Sequence, residues 1–174
     1  MEQVMAGDED AFAHLVARYE RALFNYLLHM TQDEALTADL TQETWLHVWQ
    51  HIRRYDATRP FLTWVYRIAH HCCIDALRGR QRSAPPATHT TRQAPAPASQ
   101  RDEPQEVLLY QETVAAVHAA IQTLPAPHRA VLILRYYHGL SYQEISDIVQ
   151  CSLGTVKSRL HYAVRHLQRL LVTR

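Results

Sequence analysis

The chain has 174 residues, 47% hydrophobic and 20% charged, with four glycines and a formal net charge of +1, which leaves room for one ordinary domain or two small ones. No run of about eighteen apolar residues occurs, and the acidic start MEQVMAGDED lacks the basic and apolar segments of a signal peptide, so a cytoplasmic protein without direct membrane insertion is expected. Three cysteines without regular spacing (Cys72, Cys73 and Cys151) exclude a disulfide framework.

Scarce glycine and frequent Leu, Ala and Gln favour helix throughout. The spacing of Phe12, Leu15, Val16, Tyr19, Leu23 and Leu27 predicts a first helix over about residues 10–30. A second covers about residues 33–52, with Leu36, Leu40, Thr44 or Trp45, Val48 and Ile52 inward. Residues 53–60, polar and ending in Pro60, predict a loop or short turn. A third helix spans about residues 61–80, its apolar side made by Trp64, Val65, Ile68, Cys72 and Leu77.

Residues 83–104, SAPPATHTTRQAPAPASQRDEP, hold five of the eight prolines and no Leu, Ile, Val or aromatic residue. Such a segment has nothing to build a core from, and proline favours extended backbone. It reads as a flexible linker between an N-terminal domain, residues 1–82, and a C-terminal domain, residues 105–174. The predicted fold is therefore all-α, two small helical domains joined by a Pro-rich tether.

Beyond the linker, helices are predicted over about residues 105–122 and 128–137. Ser141 followed by Glu144 forms a capping-box pattern, and Ser152 can cap the next helix, with Val156, Leu160, Ala163 or Val164, Leu167 and Leu171 inward. Two capped helices, the first about two turns long, separated by the short break at Gln150, Cys151 and Ser152, match a helix-turn-helix.

Charge follows the same division. Residues 1–82 carry nine Arg/Lys against eleven Asp/Glu, whereas residues 105–174 carry seven against four. Residues 153–174 contain five basic side chains (Lys157, Arg159, Arg165, Arg169 and Arg174) and no acidic one. A basic recognition helix is the electrostatic footprint of DNA binding, since phosphates supply much of the affinity. The pattern puts Thr155, Lys157, Ser158, Arg159, His161 and Arg165 at or near DNA, with Ser141, Tyr142 and the adjoining backbone N–H groups as phosphate contacts. Capping and packing are the alternative for Ser141 and Tyr142.

Three stretches in order carry a family resemblance. TADLTQETWLHVW resembles the segment after the first helix of bacterial sigma factors of the extracytoplasmic-function (ECF) group of the sigma-70 family. FLTWVYRIAHHCCIDALRGRQR resembles their promoter-melting segment, and LPAPHRAVLILRYYHGLSYQEISDIV with GTVKSRLHYAVRHLQRLL resembles their fourth region, which reads the −35 element. The resemblance covers residues 10–82 and 106–172.

It implies an alternative sigma factor with no enzymatic activity, no cofactor and no metal. Its partners would be core RNA polymerase (the beta-prime clamp helices and the beta flap), promoter DNA and an anti-sigma factor. Asp39, Gln42 and Glu43, with Trp45 and Trp49, match the polymerase-docking helix; a solvated acidic face is the alternative for the polar three. Trp64, Tyr66, Arg67, His70, His71, Asp75, Arg78 and Arg80 match the helix that opens DNA at −10, and Arg53, Arg54 and Arg59 suit backbone contacts beside the pocket for a flipped base. Trp64 reads equally as core.

The sequence departs from the family pattern at His71, where Asn is common, at Gln150 for Gly, at Ser146 for Ala, and at Tyr162 and Val164 for Arg. These changes imply an unusual promoter preference, and Gln150 either takes a left-handed backbone at a cost of about 1 kcal/mol or shifts the turn. His70 and Cys73 share a helix face, but no further ligand completes a metal site. A stand-alone helix-turn-helix repressor or activator is the competing reading; it would dimerise on a palindrome without polymerase.

Overall fold

Eight α-helices and one 3-10 turn make up residues 1–83 and 104–172, the residues the computed structural model describes, and no strand occurs among them. The greater part of the linker expected over 83–104 lies outside the described residues.

The N-terminal half begins with a helical turn that periodicity did not announce, α1 (Glu2–Met5), whose Val4 is buried. Helix α2 (Glu9–Thr31) starts where Asp8 accepts a hydrogen bond from the Ala11 amide at 2.9 Å, and it ends at Gln32 in a left-handed conformation, φ 55°. Helix α3 (Glu34–His51) is capped by Asp33, whose Oδ1 accepts from the Leu36 amide at 3.0 Å. A 3-10 turn, Ile52–Arg54, leads through the loop to α4 (Phe61–Ser83), three residues longer than its apolar pattern suggested.

These helices form a bundle in which Leu23, Leu27 and Met30 of α2 meet Leu40 and Val48 of α3 and Val65, Ala69 and Cys73 of α4. Each large aliphatic side chain removed from water there contributes about 1.5–3 kcal/mol before entropy is counted. The inner row of α3 includes Thr37, Thr41 and Thr44, all buried. Each hydroxyl donates to the carbonyl four residues back, on Asp33, Thr37 and Leu40, at 2.7–2.8 Å. Burial without a partner would cost about 1–3 kcal/mol per hydroxyl; the helix's own backbone removes that cost.

The C-terminal half contains α5 (Pro104–Gln122), α6 (Ala126–Tyr136), α7 (Tyr142–Val149) and α8 (Leu153–Val172). Proline just inside α6 and a left-handed Gly139, φ 66°, before α7 mark its turns. Both halves of the expected capping box are present: the Glu144 amide donates to Ser141 Oγ at 3.2 Å, and the Ser141 amide donates to Glu144 Oε2 at 2.8 Å. Gln150 adopts the left-handed backbone, φ 51° and ψ 51°, so the helix-turn-helix keeps its turn without glycine. Val156, Leu160 and Ala163 of α8 face Ile145 and Ile148 of α7 within the same core, whereas Leu171, expected inward, is exposed.

The halves touch. Helix α7 packs along α4 and α6 packs against α2, so the two hydrophobic cores join into one buried cluster.

Candidate polymerase-docking and DNA-contact surfaces

Helix α3 sorts its side chains by face. Leu40, Thr44 and Val48 turn inward, which leaves Asp39, Gln42 and Glu43 exposed on the opposite side, as the spacing implied. Leu46 joins them, 55% exposed, one turn beyond Gln42 and Glu43. Its signal was available in sequence, since it falls out of phase with the inner row. Trp45 is placed in the core, its ring edge-on to Phe12 with centroids 6.1 Å apart. Trp49 is half-buried against the same Phe12 at 4.7 Å. Glu9, Phe12, Trp45, Leu46 and Trp49 together line an open groove beside the acidic row.

The loop and the start of α4 form an aromatic box. Tyr55 and Phe61 are buried with ring centroids 5.4 Å apart, Tyr19 stands 5.6 Å from Phe61, and half-buried Trp64 lies 5.2 Å from Tyr55. Tyr55 Oη donates a short hydrogen bond to the Arg59 carbonyl, which closes the loop over the box. Asp56 Oδ1 accepts from the Thr58 amide at 3.0 Å and the Thr58 hydroxyl at 2.6 Å, bonds that hold its carboxyl below the usual carboxylate range. Arg53, Arg54 and Arg59 are exposed around this rim. Trp64 is thus packed on one side and open on the other.

Further along α4, His71, Asp75, Arg78 and Arg80 are exposed, while Arg67 is half-buried. Arg78 pairs with Asp75 at 3.8 Å. Arg80 donates to Asp33 Oδ2 at 2.8 Å, which ties it to the cap of α3. His70 sits only 8% exposed, its Nδ1 sharing a 2.9 Å hydrogen bond with Tyr26 Oη. Burial, with His71, Arg159 and Arg78 nearby, lowers its imidazole from 6.5 to about 4. Cys73 is buried and its thiol is pushed up to about 12, that of an inert packing group. No cluster of three His, Cys, Asp or Glu side chains arranged for a metal occurs among the described residues.

In the helix-turn-helix, Lys157, Ser158, His161 and Arg165 are exposed along one side of α8. Ser158, His161 and Arg165 line a shallow groove with Tyr162 and Arg169. Ser152 Oγ accepts from the Thr155 amide at 3.2 Å, so the expected cap is present and Thr155 is drawn back toward it. Arg159 is half-buried, its Nη1 donating to Cys151 Sγ at 3.7 Å. Tyr142 lies under the Arg135 guanidinium at 5.1 Å, and Arg135 Nη1 also donates to the Leu140 carbonyl at 2.8 Å. Helical periodicity alone gave no reason to single out Arg135, which bridges the Tyr142 ring and the Leu140 carbonyl.

Comparison with known proteins agrees with this architecture at several levels. Residues 15–83 match the family described as Sigma-70 region 2, and residues 115–167 match Sigma-70, region 4. The chain is 31% identical to RNA polymerase sigma-H factor of Pseudomonas aeruginosa over 98% of its own length and 91% of that protein's. It is 37% identical to the ECF RNA polymerase sigma factor SigL of Mycobacterium tuberculosis over 92% and 90% of the two chains. The fold resembles that of the sigma factor RpoE of Bartonella quintana in complex with the anti-sigma factor NepR, with a TM-score of 0.75, 23% identity and coverage of 92% and 96%. CnrH in complex with the cytosolic domain of CnrY is similar at a TM-score of 0.72, 24% identity, 99% and 94% covered. The chain belongs to the ECF group of sigma-70 family sigma factors.

Proposed function

We propose that this protein is an alternative sigma factor that binds core RNA polymerase, recognises −35 and −10 promoter elements and promotes strand opening at initiation. Its family consists of initiation factors rather than enzymes. The observation that carries the reading is the coexistence in one chain of region 2 and region 4 matches, in that order, with a polar row exposed on α3 and a basic row exposed on α8.

Within it, residues 1–82 act as the region 2-like domain, 83–104 as the linker and 105–174 as the region 4-like domain. Asp39, Gln42 and Glu43, extended by Leu46, dock on the beta-prime clamp helices, a polar row flanked by an apolar side chain suiting a basic helical partner. Trp49 supports that face from the adjoining groove, and Trp45 does so from the core. The C-terminal half engages the beta flap.

Arg53, Arg54, Arg59 and Arg78 meet phosphates around the aromatic box, where a base from the opened strand is held; unstacking costs a few kcal/mol, which an aromatic surface offsets. Lys157, Ser158, Arg159, His161 and Arg165 read the −35 duplex, with Thr155, Ser141 and Tyr142 at its backbone. The protein works in the cytoplasm, and among the described residues no helix is long and apolar enough to cross a membrane. An anti-sigma factor of the kind found with the related structures is the expected antagonist.

Purified chain with core polymerase on a library of random promoters tests this. Specific initiation dependent on the chain is expected, with weak mobility shifts by the chain alone. Tight palindrome binding without polymerase would instead support the repressor reading.

A further inference from the structure

Part of α4 is not open to DNA. The face carrying Tyr66, His70 and Cys73 is buried where α7 lies along it and α6 meets α2. His138, in the turn before the helix-turn-helix, reaches across: its Nδ1 shares a 2.7 Å hydrogen bond with Tyr66 Oη, and its ring lies 5.1 Å from Tyr66 and 6.0 Å from Tyr26. Beside it, Gln122 Nε2 donates to the His29 carbonyl at 2.9 Å, and the His29 ring lies tilted, 4.4 Å from Tyr137 and 5.4 Å from His118. Arg129, which donates to Gln122 Oε1, stands next to Tyr26 and Cys73.

The chemistry of this seam is one-sided. The groups facing His138 are Tyr26 and His29 of α2 and Tyr66 of α4; those facing His70 are Tyr26, His71 and Arg78 of the N-terminal half and Arg159 of α8. None is a carboxylate. All three salt bridges among the described residues lie inside the N-terminal half, so no described ion pair joins the halves. His138 Nε2 is buried with no partner among the described residues, so a proton added to this ring finds no acceptor.

Geometry excludes this arrangement from the promoter. Elements centred near −35 and −10 are about 25 base pairs apart, about 85 Å of duplex at 3.4 Å per step. Helices α4 and α7 in direct contact cannot serve both. The twenty residues 84–103 span at most about 70 Å when fully extended, a reach that, added to the widths of the halves, matches the separation.

We infer that the free chain is self-closed: its helix-turn-helix half covers the promoter-opening helix through a latch made by His138 on Tyr66 and Tyr26, and the latch must release before DNA is engaged. The consequence for initiation rests on the sigma-factor reading; the closure does not.

The test is small-angle X-ray scattering on the full free chain at pH 7.5, without polymerase, alongside binding of a fluorescent random single-stranded DNA 20-mer. Wild type is expected near the radius of gyration of a compact chain this size, about 16 Å. His138→Lys places a permanent cation in the acid-free seam and is expected to expand the chain beyond about 22 Å and to tighten DNA binding about tenfold. Tyr66→Phe, which removes only a hydroxyl, shifts both in the same direction by less. Ala13→Lys, an exposed position on α2, adds the same charge away from the seam and leaves both unchanged; circular dichroism confirms that each variant folds. An expanded wild type, or a His138→Lys chain as compact as wild type, overturns the latch. A chain that fails in transcription yet behaves as described overturns the sigma reading alone.

Discussion

Arg80 of α4 donates a hydrogen bond to Asp33, the residue that caps α3, at 2.8 Å. One carboxylate therefore closes a helix start and fastens two helices that are distant in sequence. The Leu36 amide, then Arg80, hold this carboxyl below its ordinary 3.8. An acid with a depressed value contributes stability that is present above about pH 3.8 and fades as pH falls through its folded value.

Asp33→Ala is expected to cost about 1–2 kcal/mol, the worth of a good N-cap plus a small share for the ion pair. Asp33→Asn keeps the cap and is expected to lose less than about 1 kcal/mol. Urea unfolding of both variants checks the ordering; equal losses would show that the cap contributes nothing.

Trp45 and Leu46 are neighbours with opposite consequences. Trp45→Ala empties a core site packed on Phe12 and is expected to cost about 3–5 kcal/mol in thermal unfolding. Leu46→Asp and Glu43→Lys are expected to leave the melting temperature within a degree or two and to weaken competition for core polymerase at least about tenfold. Normal polymerase affinity in both surface variants would rule out this face of α3.

Gln150→Gly relieves a left-handed backbone, φ 51°, at the loss of one exposed hydrogen bond from Gln150 Nε2 to the Asp147 carbonyl. The net expectation is a gain of about 0.5–1 kcal/mol, visible as a rise of a few degrees in melting temperature.

On duplex −35 DNA with polymerase present, Lys157→Ala and Arg165→Ala are expected to weaken binding about uniformly across sequences, each lowering the salt slope by about one. Arg159→Ala is expected to cost about 1–3 kcal/mol at one base pair and to relax preference there. Affinities on a panel of single-base promoter variants at two salt concentrations separate the two behaviours.

Acid is expected to open the seam. Burial holds both His70 and His138 at about 4, against an ordinary 6.5. Bases depressed in this way leave the closed form at full strength above about pH 6.5 and weaken it as pH falls toward 4, because the open form binds more protons in that window. The opening constant rises by up to about tenfold per pH unit for each histidine that opening exposes. Hydrogen exchange of α7 at pH 7.5, 6 and 5, corrected for intrinsic rates, reads this directly; protection unchanged across the series would exclude it.

Helices α2, α3 and α4 were legible in sequence because each buries one stripe at helical spacing, and α7 and α8 because each also starts at a recognisable cap, Ser141 with Glu144 and Ser152. The left-handed Gln150 was one of two outcomes open in the sequence, a shifted turn being the other. The cover over α4 was not. Periodicity assigns a residue to a face, but it does not say which distant element lies on that face. His70 therefore read as a DNA contact, whereas it lies beneath Tyr26. Arg80 likewise carried no sign that Asp33, 47 residues away, would claim it.

The buried threonines of α3 have a mechanical consequence. Thr41 and Thr44 bond to their own helix, whereas Thr37 bonds both to its own helix and, at 2.7 Å, to Thr31 Oγ1 at the end of α2. The strongest directional bonds to its neighbours therefore sit at the start of α3, where Asp33 meets Arg80 and Thr37 meets Thr31, and the remainder of the helix has fewer to break when it bends slightly. The polar row on its outer side is thus mounted on a helix with some play, able to adjust its seating on a large rigid machine without loosening the bundle beneath.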